Sequence, residues 1–186
     1  MTKTSSEGTG CVVVTIGHST RTLETFISLL QTYEVKQVID VRTVPRSRHN
    51  PQFNHDTLAD DLKAADIGYL HIPGLGGLRR PKPDSINLGW RNASFRGFAD
   101  YMRTPEFESH LGELAALAQR KRAALMCAEA LPWRCHRSLI SDALEIRGIK
   151  VAHILSATHL QPHRMTAFAR WDGKFLIYPA EEMSVE

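Results

Sequence analysis

The stretch Leu125-Met-Cys-Ala-Glu-Ala-Leu-Pro-Trp-Arg-Cys-His-Arg137 sets two cysteines, a carboxylate, an imidazole and two guanidiniums between an apolar run and a helical pattern. Its left flank, residues 123–128, is a short apolar run that fits a buried strand, and Pro132 stops it from continuing. A two-residue period places Leu125, Cys127 and Glu129 on one side of the chain, with Cys127 and Glu129 roughly 6–7 Å apart where the strand ends. To the right, Cys135, Leu139 and Ala143 recur at helical spacing, as do His136, Ile140 and Leu144. Arg134, Arg137, Ser138, Ser141, Asp142 and Glu145 fill the opposite face. The spacing predicts an amphipathic helix that begins at Cys135 and His136 and is closed by Gly148. Free N–H groups and the positive dipole end at such a start favour a thiolate or a bound anion. Either cysteine taken alone reads more readily as core, because buried cysteine is common. Glu129 and His136 are residues a core does not need.

Strand followed by helix recurs along the chain. Residues 11–16 are a β-branched run that predicts a central strand, followed by Gly17-His-Ser-Thr20. Thr22 caps a helix with Phe26, Ile27, Leu30 and Tyr33 as its stripe. Residues 35–41 read as a second strand in which Asp40 and Arg42 share a face with Val38, which suggests an internal ion pair or a site at the strand end. After a basic loop, residues 45–51, Asn54 is placed to cap a helix carrying Leu58, Leu62 and Ala65 up to Gly68. Residues 69–72 give a third strand. The Gly-rich and basic loop from Gly74 to Pro83 is a candidate lid or phosphate contact, though it matches no nucleotide-binding motif. With the segment to Asn92 it forms one long loop, residues 77–92, of a length that is often functional. Phe95, Phe98, Tyr101 and Met102 suggest a short helix. Thr104-Pro-Glu106 starts another that buries Phe107, Leu111, Leu114 and Ala118. Residues 150–155 are a fifth strand with a buried His153. Residues 165–171 and 174–178 flank Asp172-Gly173, a hairpin signal.

The alternation predicts an α/β fold, a three-layer sandwich whose mainly parallel, doubly wound sheet has about five strands plus a C-terminal antiparallel hairpin. Residues 1–10 read as a disordered leader, and residues 11–180 as a single α/β domain. The formal charge of +3 permits nucleic acid or phosphorylated partners without requiring them. No apolar run approaches a membrane span and the start lacks the apolar core of a secretory signal, so a cytoplasmic protein with no membrane partner is expected. The odd count of 3 cysteines, none spaced as CxxC, argues for reduced thiols and against a disulfide framework or zinc ribbon.

In open α/β sheets ligands bind beyond the carboxyl ends of the strands. His18 and Ser19 follow the first strand, Asp40 and Arg42 end the second with Arg48 in the loop beyond, and His71 lies in the third. Cys127 and Glu129 end the fourth, joined by Cys135, His136 and Arg137. The set Thr15-Ile-Gly-His-Ser-Thr20, Val38-Ile-Asp-Val-Arg42 with Pro45 and Ser47-Arg48, Tyr69-Leu-His71 with Leu75-Gly-Gly77, Cys127-Ala-Glu129 with Pro132, and Cys135-His-Arg137 resembles the domain of unknown function 488 family. The resemblance spans residue 12 to about residue 155. It implies a compact bacterial or archaeal α/β protein, without an activity. Leu131 and Trp133 stand where more polar residues are expected, and the loop after Gly77 is long.

The residues lead to an enzyme acting on a small anionic or nucleotide-like substrate. Arg42, Arg46, Arg48, Arg134 and Arg137 would hold phosphate or carboxylate, with His18, Ser19, Asp40 and His71 completing the pocket. Cys127 or Cys135 would be the nucleophile, and His136, His18 or Glu129 would move protons. The spacing from Cys127 to Arg134 is not that of a phosphatase loop. No cofactor is predicted, but Cys127, Glu129, Cys135 and His136, with His18 or His71 nearby, offer a mixed donor set for Zn or Fe. A nucleic-acid module would use the basic segments 42–48 and 79–82 with Phe53 and Trp90 as stacking platforms. A wholly structural reading would pair Asp40 with Arg42 or Arg137 and pack both cysteines as filler.

Overall fold

A computed structural model describes residues 12–180. The expected leader, and Cys11 at the head of the first predicted strand, lie outside them. Six strands form one sheet: β1 (Val12–Gly17), β2 (Gln37–Asp40), β3 (Gly68–His71), β4 (Ala123–Cys127), β5 (Lys150–Ser156) and β6 (His159–Pro162), in the order β3-β2-β4-β1-β5-β6. The first five are parallel, and β6 adds antiparallel to β5. Five helices connect them: α1 (Leu23–Thr32), α2 (His55–Ala64), α3 (Ala93–Tyr101), α4 (Pro105–Arg120) and α5 (Arg137–Ile146).

The three layers follow from the two-residue period of the buried strands. Val14, Ile16, Val38, Ala124 and Met126 face α1 and α2, where Phe26, Leu30, Leu58 and Leu62 are buried. Val13, Ile39, Leu125 and Cys127 face α3, α4 and α5. Connections out of β1 and β2 step towards one edge, and those out of β3 and β4 step towards the other. The turning point lies at the adjacent carboxyl ends of β1, β2 and β4.

Local sequence sets most boundaries. Thr22 and Thr104 accept N-cap hydrogen bonds from Thr25 N and Phe107 N, as their positions suggest. Asn92 caps α3 by accepting from Ser94 N and Phe95 N. Asn54 does not cap α2 with its side chain, because its Oδ1 accepts from Ser47 N and folds the basic loop instead. α2 stops at Ala64, where Asp66 turns the chain at positive φ, and Gly68 belongs to β3. In α1, Leu29 is buried while Ile27 and Tyr33 are only half-buried.

Three corrections concern the last third of the chain. Cys135 and His136 do not begin α5: Pro132 starts a 3-10 turn, Pro132–Arg134, leaving Cys135 extended and His136 as the N-cap of a helix starting at Arg137. The polar face of α5 is not solvated, since Arg137, Ser138, Ser141 and Asp142 are all buried. The C-terminal segment covers it. Asp142 accepts from His163 Nε2, from the backbone and hydroxyl of Thr166, and from Tyr178 OH. The hairpin shrinks to β7 (Arg170–Trp171) and β8 (Leu176–Ile177) around a longer loop, because Asp172 Oδ1 accepts from Lys174 N and Phe175 N and builds an Asx turn. Among the described residues no helix is long and apolar enough to cross a membrane.

Asp142→Ala leaves four donors, buried or half-buried, without their acceptor and should cost about 3–5 kcal/mol by urea unfolding at neutral pH. Tyr178→Phe, which removes a single donor, should cost only about 1 kcal/mol. Equal losses would show that Asp142 does not organise this segment.

Candidate functional site

The ends of β1, β2 and β4 open into a cavity of about 640 Å³. His18 and Ser19 line it from the end of β1, Arg42 from β2, and Cys127 and Glu129 from β4, with Cys135 and His136 from the turn before α5. Gly17 lets the loop after β4 cross directly over β1, since a Cβ there would overlap the Glu129 carbonyl. His18 N and Ser19 N then donate to Cys127 O and Ala128 O, stitching the two strand ends together. Ser19 holds a positive φ of 47° at this crossing.

Arg42 is buried and paired. Its Nε and Nη2 donate to Asp40, and Nη2 also donates to Phe53 O at 2.8 Å. Nη1 donates to His18 Nε2 at 3.3 Å. A guanidinium carries five N–H bonds, so one Nη1 hydrogen has no partner among the described residues, and the side chain lines the cavity. Burial alone would lower the Arg42 pKa, but the hydrogen bonds and charge of Asp40 outweigh it and raise it. Tyr69 OH donates to the same carboxylate at 2.6 Å. His18 gives its Nδ1 proton to Ser19 O and stacks on Phe53. Burial pushes its pKa down to about 4, so the ring is neutral near pH 7.

Cys127 Sγ, Cys135 Sγ and one nitrogen of His136 all lie within 4.8 Å of one another. His136 Nε2 is 2.9 Å from Val41 O, which can only accept, so the proton sits on Nε2. Nδ1 therefore turns a lone pair towards Cys135 Sγ, 3.6 Å away. Gly77 packs on the ring so closely that a Cβ would collide with it. Arg137 is 1% exposed and donates from Nε to Cys135 Sγ at 3.4 Å, from Nη1 to Thr15 Oγ1 and from Nη2 to Glu129 O. No carboxylate forms an ion pair with it among the described residues. The two thiols are shifted in opposite directions. The hydrogen bond between them raises Cys127, with burial adding, and lowers Cys135, which His136 and Arg137 hold down further.

Not every sequence-derived residue reaches the cavity. Asp40 lies behind Arg42, Arg137 lies behind Cys135, and His71 holds Arg42 O through Nε2. Arg48 is exposed and does not line the cavity. Asp40 pairs with Arg42, not Arg137. Arg46 and Arg134 do line the cavity, joined by Thr43, Ser47, Asn50, Asn92, Ser94 and Phe95, which sequence reasoning did not single out. The lead was there in Asn92-Ala-Ser94, an N-cap at the end of a long loop. That loop is pinned by Asp100, which accepts from Lys82 N, Ser85 Oγ and Asn87 Nδ2, and its start at Gly77 and Leu78 forms one cavity wall.

Asp40→Asn removes the countercharge of a buried guanidinium and should cost about 3–5 kcal/mol in urea unfolding. A loss below about 1 kcal/mol would mean that Arg42 finds its neutralisation elsewhere.

A family model described as Domain of unknown function DUF488 matches residues 22–144. No curated protein and no solved structure matches.

Proposed function

The chain belongs to the family of domain of unknown function DUF488, and on that premise we propose that it is an enzyme that seats a small anionic, nucleotide-like substrate in the strand-end cavity and acts on it at Cys127, Cys135 and His136. The observation that carries this reading is the floor of the cavity. A thiol–imidazole pair, with the Nδ1 lone pair turned to Cys135 Sγ, opens there beside a buried guanidinium that has an N–H to spare. A core gains nothing from that arrangement, whereas an oxyanion offers the missing acceptor.

Roles divide by exposure. Arg46 and Arg134 are exposed and can meet an incoming anion, while Arg42 is fixed and can orient it. Phe95 presents an aromatic wall and stacks on Trp90 with centroids 4.8 Å apart, suited to a flat apolar substituent. Glu129 lines the cavity while its Oε1 accepts from Leu131 N, which leaves the carboxylate available for proton transfer. A nucleic-acid platform draws less support, because Phe53 is fully buried under His18 and Trp90 packs against Phe95, Phe168 and Tyr178.

Calorimetric titration with inorganic phosphate and with nucleoside monophosphates should give saturable, salt-sensitive binding. Arg134→Ala should weaken it about tenfold at unchanged unfolding midpoint, the loss of one charge-assisted hydrogen bond. No binding at low ionic strength would overturn the reading.

A further inference from the structure

The same centre has the composition of a metal site, and three independent features agree. Cys135 Sγ and His136 Nδ1 are already 3.6 Å apart, and all three donor atoms fall within 4.8 Å. Ligand distances of about 2.3 Å to sulfur and 2.0 Å to nitrogen in a tetrahedron separate two sulfurs and one nitrogen by about 3.5–3.8 Å. Closing the triplet on an ion therefore asks for small side-chain rotations only. The imidazole is in the right tautomer, since Nε2–H donates to Val41 O and Nδ1 is the bare nitrogen. The sulfur of Cys135 receives an N–H from Arg137, the support that a thiolate ligand needs in a buried site.

Neighbouring candidates are excluded by their own bonds. His18 spends Nδ1 on Ser19 O and Nε2 on Arg42, and His71 spends Nε2 on Arg42 O away from the cavity. Glu129 also lines the cavity but is not among the donors that lie within 4.8 Å of one another, so three protein ligands remain, and the cavity that they line leaves room for a fourth. Two sulfurs and one nitrogen select a borderline-soft ion over magnesium or calcium.

We propose that Cys127 Sγ, Cys135 Sγ and His136 Nδ1 bind one zinc ion, whose fourth position opens into the cavity and takes hydroxide or an anionic group of the substrate. Charge balance supports an anion there. Among the groups that touch the two sulfurs, two thiolates cancel the zinc charge and Arg137, without an ion pair among the described residues, adds one positive charge, which an anionic fourth ligand offsets. Only this last ligand rests on the reading of the cavity as a substrate site; the three protein ligands do not. Bound zinc would act as a Lewis acid or lower the pKa of a bound water.

The test uses the full chain stripped with a chelator and titrated with zinc against a chromogenic chelator, then with cobalt(II). One ion per chain is expected, with a near-ultraviolet sulfur-to-cobalt band and the intense visible bands of four-coordinate cobalt. Cys127→Ser and Cys135→Ser should each weaken zinc binding at least a hundredfold. Wild-type protein that binds no ion, or an ion equally well held by both variants, would overturn the proposal whether or not the variants are stable. Inorganic phosphate added to the cobalt protein should change the visible bands. An ion with the sulfur band but no response to phosphate would refute a substrate anion as the fourth ligand, while leaving hydroxide there and the three protein ligands standing. Phosphate binding without any ion would do the opposite, keeping the cavity reading and removing the metal.

Discussion

The guanidinium of Arg137 is a buried positive charge with no carboxylate paired to it among the described residues, and the architecture around the site follows from how that charge is accommodated. Taking a cation out of water costs several kcal/mol unless every donor finds an acceptor. Here the acceptors come from three elements: Cys135 Sγ just before α5, Thr15 Oγ1 on β1, and the Glu129 carbonyl in the loop after β4. The one side chain thus fixes the helix start, the central strand and the cysteine loop relative to one another. A chain of hydrogen bonds continues behind it. Thr15 Oγ1 lies 2.8 Å from His153 Nδ1, His153 Nε2 lies 3.0 Å from His163 Nδ1, and His163 Nε2 donates to Asp142. Burial pushes the His153 pKa down to about 3, in keeping with a neutral ring. The cysteine centre and the C-terminal cover of α5 are therefore parts of one polar network.

Topology decides where that network surfaces. β1 and β4 are neighbours whose following connections leave in opposite directions, and such a reversal opens a crevice between helices on the two faces of a sheet. His18, Arg42 and Cys127 reach the cavity because each sits at or just past the carboxyl end of one of the three strands at the reversal. Arg42 arrives with its charge neutralised by Asp40 and its geometry locked, whereas Arg137 has no ion-pair partner among the described residues. The centre between them combines a rigid donor with an unmet demand for negative charge.

Much of this was legible in the sequence because it depends on periodicity. Continuous apolar runs gave the parallel strands, and the rule that strand ends carry ligands gathered His18, Arg42, Cys127, Cys135 and His136. What escaped depends on tertiary pairing. The sequence places Ser138, Ser141 and Asp142 on the polar face of α5 but not in contact with Thr166 and Tyr178, because helical periodicity cannot tell a wet polar face from one satisfied by a distant segment. β6 has only four residues, two of them exposed, and carries too little apolar signal to stand out. The Asn54 cap failed because Ser47 N competed for the same oxygen. Arg48 was grouped with the site by sequence proximity to Arg42, but the loop turns it outward.

The proposed delivery of anions through an arginine-lined cavity to the cysteine centre is measured by comparing the rates at which iodoacetate and iodoacetamide alkylate Cys135 in folded, chelator-treated protein, with the modified residue identified by mass spectrometry. Labelling of the native state is expected, with a preference for the negatively charged reagent that fades with added salt. Labelling only after unfolding, or a salt-independent preference for the neutral reagent, would contradict it.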